Sequence, residues 1–204
     1  MIESSKQRII ELGRFLYNNH YIVATDGNIS SRLNSKEILI TRTGVCKGKL
    51  KNSDICSVGV YPQQTKLPRI NLGATVATTI NKLLPSTEYR MHLAIYENRP
   101  DVNAVIHAHP PYSTTFAMLG KKLDVKLLTE TEETLGTIKQ VGYFKPGSLE
   151  LARAVGKASI KHNVMILAHH GVVVCGKDLL EAKYRLERLE FLSKVTLLAS
   201  LFKP

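Results

Sequence analysis

Two short apolar strands stand near the start of the chain with only turns around them. Residues 37–41 (EILIT) read as one strand, Thr43-Gly44 as a turn, and residues 54–60 as a second strand. Gly27-Asn28 marks a turn ahead of them, so the opening reads as a β-meander. Farther along, helices and strands alternate. The hairpin-like opening argues against a doubly wound parallel sheet. The pattern predicts an α/β fold with a largely antiparallel central sheet flanked by helices.

The remaining elements follow from periodicity and punctuation. Residues 4–20 form an amphipathic helix, with Ile9, Leu12 and Leu16 on one face. Pro62 and Pro68 interrupt the stretch 61–85, in which 74–84 reads as a short helix. Ser86 or Thr87 is placed to cap a helix running to about Asn98, with Pro100 beyond its end. Residues 102–108 are a strand stopped by Pro110-Pro111, 112–119 a helix and 122–128 a strand. Ser148 caps a helix to about His162. Strands at 164–168 and 172–175 flank a His-His-Gly corner, and Asp178 caps a last helix to about Leu201.

With 204 residues and no linker, residues 1–204 read as a single domain. A chain this long buries enough surface to fold without a disulfide or metal. Its three cysteines (Cys46, Cys56, Cys175) are odd in number and lack CxxC spacing, which fits a reducing cytoplasm. The first residues lack the plan of a secretory signal, and no apolar run approaches the roughly 20 residues of a membrane span. The 28 Lys and Arg against 17 Asp and Glu give a net charge of +11. These basic residues are dispersed, with no run of five and no zinc-finger or RRM signature. That disfavours nucleic acid and suits attraction of a phosphorylated substrate.

The local feature richest in chemistry is Val105-Ile106-His107-Ala108-His109-Pro110. Alternate residues of a strand face one way, so His107 and His109 aim two imidazoles at one point, as a zinc-like ion requires. Another strand ends on His169-His170-Gly171. Neighbouring residues face opposite ways, so only one of this pair can join, and spacing alone leaves the choice open. Glu88, at a helix start, reads either as a first-turn acid favoured by the helix dipole or as a general acid/base beside the metal. Ser86 and Thr87 at a helix N-terminus, and the turns at Gly27-Asn28 and Thr43-Gly44, can cap and turn the chain or hold an anion. His20, His92 and His162 read as surface or packing histidines.

Taken in order, the segments Gly27-Asn28-Ile29-Ser30, Ile40-Thr41-Arg42-Thr43-Gly44, Pro85-Ser86-Thr87-Glu88, Met91-His92-Leu93-Ala94-Ile95-Tyr96, His107-Ala108-His109 and His169-His170-Gly171 resemble the class II (zinc) aldolase family over about residues 5 to 200. This family includes L-fuculose-phosphate aldolase and L-ribulose-phosphate 4-epimerase. The resemblance implies a homotetramer with sites at subunit interfaces. It implies one zinc ion held by His107, His109 and His170, with Glu88 as acid/base. Asn28, Thr43, Gly44, Ser86 and Thr87 would bind the substrate phosphate. The implied reaction cleaves a ketose 1-phosphate, such as L-fuculose 1-phosphate, to dihydroxyacetone phosphate and an aldehyde such as lactaldehyde, through a stabilised enediolate.

Against that pattern, residues 123–135 (LDVKLLTETEETL) hold no tyrosine, whereas the fuculose-phosphate enzyme uses one from a neighbouring subunit on the aldehyde side. Tyr112 and Tyr143 are the substitutes within reach of the motif. Glu130, Glu132 and Glu133 read as a solvated acidic loop. The missing tyrosine keeps two alternatives on the same fold, a sugar-phosphate dehydratase like methylthioribulose-phosphate dehydratase and a 4-epimerase.

Overall fold

A computed structural model describes residues 2–60 and 84–202. The first helix, α1 (Ile2–Asn18), leads into the meander β1 (Asn28–Asn34), β2 (Glu37–Thr41) and β3 (Ile55–Gly59). Then come α2 (Tyr89–Asn98), β4 (Ala104–Ala108), α3 (Pro111–Leu119), α4 (Thr129–Leu135) and β5 (Ile138–Val141). The chain closes with α5 (Leu149–Ser159), β6 (Val164–Leu167), β7 (Gly171–Gly176) and α6 (Leu179–Ser200). The seven strands form one sheet in the order β3-β2-β1-β4-β7-β6-β5. Every pairing is antiparallel except β5 with β6, which are joined through α5, the kind of crossover a parallel pair requires. The mixed, largely antiparallel α/β sheet expected from the sequence is therefore present.

Two apolar layers hold the helices to the sheet. Alternation sends Ala104, Ile106 and Ala108 of β4 into a core with α1, α3, α4 and α6, contributed by residues such as Leu16, Phe116, Leu135 and Leu189. Val105 turns the other way, into a core with Met91 and Ile95 of α2 and Val155 of α5. The register between β1 and β4 sets Asn28 opposite His107 and Ser30 opposite Val105. A slip of one residue would send each of these side chains to the opposite face, so the apolar pattern of both layers fixes the polar positions too.

Several expectations change on contact with the structure. Asn28 is not only a turn residue but the first residue of β1, a strand the sequence reading did not separate. The helix after Pro85 begins at Tyr89, and its N-cap position is Glu88 rather than Ser86 or Thr87; the Glu88 side chain does not cap it, while Ser86 Oγ accepts from Glu88 N–H at 3.3 Å. The expected strand at 122–128 is instead a short 3-10 turn at Val125–Leu127, capped by Asp124, whose carboxylate accepts from Lys126 N–H. The acidic loop is helix α4, anchored by buried Thr131 and Leu135. Ser148 and Asp178 do cap α5 and α6, accepting from the N–H groups of Leu151 and Glu181. The helix expected at 74–84 falls outside the described residues but for Leu84.

Candidate active site

β4 delivers His107, fully buried, on the face shared with Val105, and His109 follows one residue past the strand's end. His170 comes from the three-residue corner between β6 and β7, where Leu167 pairs with Gly171. Backbone bonds hold that corner at each residue. The N–H groups of Ala168, His169 and His170 donate to Val141 O, Ala117 O and Leu167 O at 2.9, 3.2 and 3.1 Å. His169 makes the turn at φ 55° and is exposed, its ring 6.2 Å from that of Tyr143. Of the adjacent pair, then, it is His170 that enters the cluster.

The ligand-capable atoms of His107, His109 and His170 all lie within 4.8 Å of one another, and the Nε2 atoms of His107 and His109 are 3.1 Å apart. A tetrahedral ion with metal–nitrogen bonds of about 2.0–2.1 Å has nitrogen–nitrogen edges of roughly 3.3–3.4 Å. The rings thus have the spacing of a ligand set. His107 Nδ1 is 3.0 Å from Val172 O, which can only accept. Nδ1 therefore carries a proton, and Nε2 is the ring nitrogen turned to the cluster. Gly171 makes the packing possible, because a Cβ there would lie 2.4 Å from His109 Cδ2 and 2.6 Å from Ala108 O.

Glu88 reaches the same point from the start of α2. Its Oε2 lies 3.0 Å from His107 Nε2 and accepts from Asn28 Nδ2 at 3.0 Å, while its Oε1 is 3.6 Å from His170 Nε2. Glu88 Oε1 and His170 Nδ1 are buried and lack a hydrogen-bond partner among the described residues. Three converging imidazoles beside a buried carboxylate oxygen with no partner fit a divalent cation.

Burial pushes the Glu88 carboxyl up, but the imidazoles of His107 and His170 and the Asn28 amide outweigh it and hold it well below the usual carboxylate range. Burial pulls His107 down, yet the facing Glu88 carboxylate keeps it above the ordinary histidine value. His109 is pushed down to about 3 by burial and by repulsion from His107 and His170. His170 is pushed down to about 4, by burial and by His107. Near neutral pH both are uncharged, the state a metal ligand must have.

Main-chain bonds join two of the segments expected at the phosphate. Ser86 N–H donates to Thr41 O at 3.0 Å, Thr43 N–H donates to Leu84 O at 3.3 Å, and Arg42 pairs with Pro85 across an antiparallel bridge. This pairs residues 41–43 antiparallel with 84–86, so that Gly44 and Thr87 follow at opposite ends; Gly44 and Thr87 are exposed and Ser86 is buried. Asn28 is buried and donates to Glu88, the residue after Thr87, and Ile29 N–H donates to Thr41 Oγ1 at 3.2 Å.

Sequence reasoning missed three groups. His92 is not a packing histidine. It is fully buried, its Nε2 lies 2.5 Å from Asn28 Oδ1 and its Nδ1 2.6 Å from Ser30 Oγ. The signal was present as alternate residues Asn28 and Ser30 on a strand and His92 and Tyr96 one helical turn apart. Lys47 is buried, and its ammonium donates to Thr25 O at 2.6 Å and Val45 O at 2.9 Å, tying the loop before Asn28 to the loop after Gly44. Asp26 Oδ2 lies 3.5 Å from His109 Nδ1. Of the two candidate tyrosines, Tyr112 has Lys194 of α6 5.5 Å from its ring centroid, and Tyr143 is exposed next to the His169 corner.

Comparison with known proteins agrees with this geometry. The class II aldolase and adducin N-terminal domain family matches residues 7–197. An L-fuculose phosphate aldolase of Methanococcus maripaludis is 40% identical over 182 residues, 89% of each chain. A 3-oxo-tetronate 4-phosphate decarboxylase of Haemophilus influenzae is 29% identical over 197 residues, covering 94% of this chain and 86% of that protein. A solved L-fuculose 1-phosphate aldolase superposes with a TM-score of 0.81 at 28% identity, over 98% of this chain and 88% of that one. With the family matched across nearly the whole chain and its histidine cluster assembled, the chain belongs to the class II aldolase and adducin family, as an aldolase-type lyase.

Proposed function

We propose that this chain cleaves a ketose 1-phosphate, L-fuculose 1-phosphate or a close analogue, to dihydroxyacetone phosphate and an aldehyde such as lactaldehyde. His107, His109 and His170 would hold one zinc ion, which when bound would supply Lewis acidity toward negative charge developing on the substrate. The observation that carries the reading is the Glu88 carboxylate, 3.0 Å from His107 Nε2 at the edge of the histidine cluster. As the carbon–carbon bond breaks, its electron pair enters an enediolate; the cleaving hydroxyl gives up its proton to solvent, and the Glu88 carboxylate takes up an equivalent proton and passes it to the enediolate carbon. Asn28, Thr43, Gly44, Ser86 and Thr87 anchor the phosphate and so position the reacting carbon. The working enzyme is a cytoplasmic homotetramer.

A second reading is favoured by one observation. Residues 123–135 hold no tyrosine to take the hydroxyl proton that aldol cleavage releases on the aldehyde side. A 3-oxo acid 4-phosphate with a 2-hydroxyl group would lose its carboxylate as carbon dioxide, which needs no such proton acceptor. The electron pair left behind forms the same enediolate, and a proton taken up from solvent and passed on by Glu88 gives the same triose phosphate. The decarboxylase name of the Haemophilus influenzae relative points to this chemistry.

One assay separates the two. Triose phosphate is followed with L-fuculose 1-phosphate and, separately, with 3-oxo-tetronate 4-phosphate, with and without chelator, for wild type and Glu88→Gln. Chelator-sensitive, Glu88-dependent release from the ketose phosphate establishes the aldolase. Release from the oxo acid alone, with carbon dioxide, establishes the decarboxylase. A product retaining the whole carbon chain would instead indicate the dehydratase or epimerase branch.

A further inference from the structure

We propose that His92 is a positioning residue for Glu88. As a neutral ring with its proton on Nε2, it locks the Asn28 amide in the orientation that turns an N–H onto the Glu88 carboxylate. This rests on the reading of Glu88 as acid/base. Glu88, His92 and Tyr96 are spaced four residues apart and form one stripe at the start and along the face of α2. Opposite them stand Asn28 and Ser30, alternate residues of β1. Asn28, Ser30, His92 and Tyr96 are all buried.

The donor and acceptor inventory leaves one arrangement of protons. The Asn28 amide offers a carbonyl oxygen and an NH2 group that could exchange places. A carbonyl oxygen set against Glu88 Oε2 would be repelled, so the 3.0 Å contact requires Nδ2 there. Oδ1 then faces His92 Nε2 at 2.5 Å and can only accept, so Nε2 carries a proton. In a neutral ring Nδ1 is bare, and the Ser30 hydroxyl 2.6 Å away donates to it. Ser30 has spent its proton, so the Tyr96 hydroxyl at 2.9 Å donates to Ser30. Burial and repulsion from His107 push the His92 imidazolium down to about 3, consistent with a neutral ring. Each polar group in the chain from Tyr96 to Glu88 is thus satisfied in one direction only, which is what makes a buried network specify an orientation.

Two measurements test this. In a long-range proton–nitrogen correlation spectrum of the 15N-histidine-labelled protein, His92 should show a protonated Nε2 and a bare Nδ1. The opposite tautomer, or an imidazolium at neutral pH, overturns the proposal. In steady-state kinetics, His92→Leu should lower kcat about 10- to 100-fold, the usual effect of removing an outer partner of a metal site, and by more than it raises KM. His92→Gln, whose amide N–H reaches about as far as Nε2, should recover most of the loss. Because His92 acts through Asn28, adding His92→Leu to Asn28→Ala should cost almost nothing further in kcat. Full multiplication of the two losses, or no recovery with glutamine in a protein that still melts cooperatively, overturns it. If wild type turns over no sugar or oxo-acid phosphate, it is the reading of Glu88 that fails, and the spectrum still decides the orientation of the amide. Should His92→Leu fail to fold, the spectrum and the glutamine variant decide.

Discussion

The histidine cluster and the loop junction beside it are built by different kinds of order. At the cluster, sheet register does most of the work. β4 carries His107, β1 sets Asn28 across from it, and the β6–β7 corner brings in His170. At the junction, main-chain bonds pair residues 41–43 with 84–86, and the buried Lys47 ammonium ties the loop after Gly44 to the loop before Asn28. Side chains face inward on the first; backbone and small hydroxyls are presented on the second. A metal demands donors fixed to a few tenths of an ångström, and strands supply that. A phosphate accepts donors from several directions, and loops are enough.

The largest expected effect falls on the cluster. Stripping the ion with a chelator, or making His170→Ala, should raise the barrier by several kcal/mol, a loss of roughly 10³-fold or more in turnover. The fold should stay, because the two apolar layers on either side of the sheet owe nothing to the ion. Far-UV circular dichroism and the thermal midpoint of the stripped protein check this. A stripped protein that is unfolded would make the site structural and end the mechanism proposed for it.

Next comes Gly171→Ala. The added Cβ would sit 2.4 Å from His109 Cδ2, so His109 must leave its place. Metal affinity should fall about 10- to 100-fold, as when an outer partner is lost, and a competition titration with a chromophoric chelator reads it directly. Unchanged affinity would show that His109 is dispensable as a ligand.

The same contrast explains what was legible in the sequence. Strand alternation made His107 and His109 readable as a pair, because a period of two is a local property. The choice of His170 over His169 was not local. It depends on a corner whose N–H groups bond to β5 and α3, far away in sequence. Strand β5 escaped notice because only Val141 of its four residues is buried. The stretch 122–128 looked like a strand by composition, but it pairs with no strand of the sheet, and the chain turns instead around Asp124 and the short 3-10 segment. His92 was misread because a histidine on an apolar helix face has no signature of its own. Its meaning lies in Asn28 and Ser30, more than sixty positions earlier in the chain.

Lys47 gives a smaller and pH-dependent effect on the loop side. Burial lowers its ammonium from 10.5 to about 8, despite the pull of Asp26. Between those values the unfolded chain binds more protons than the native one, so stability rises with pH across the window. The cost of the buried charge is fully present below about 8 and relieved by 10.5, at no more than about 1.4 kcal/mol per pH unit. Urea midpoints of wild type and Lys47→Met at about pH 7.5 and about pH 9.5 should show wild type gaining on the variant at the higher pH. A constant gap would mean that the amine titrates as if exposed, and that the loops are held by something else.

The smallest effect should come from Gly44→Ala, and it sharpens the comparison most. Gly44 has φ +69°, and a Cβ there would meet nothing within 4 Å. Only the left-handed backbone opposes a side chain, at about 1–2 kcal/mol, partly offset by about 0.4–1 kcal/mol from the stiffer unfolded chain. The net loss of stability should stay near 1 kcal/mol, and metal affinity should not move. If the Gly44 loop holds the substrate phosphate, relaxing that strain will tilt its N–H groups and raise KM for the phosphorylated substrate while kcat changes less. Gly44→Asn separates strain from bulk, since asparagine tolerates the left-handed region: it should restore both stability and KM. If alanine and asparagine leave KM alike and unchanged, the phosphate is not bound at this loop, and the anchoring falls to Ser86 and Thr87 across the junction.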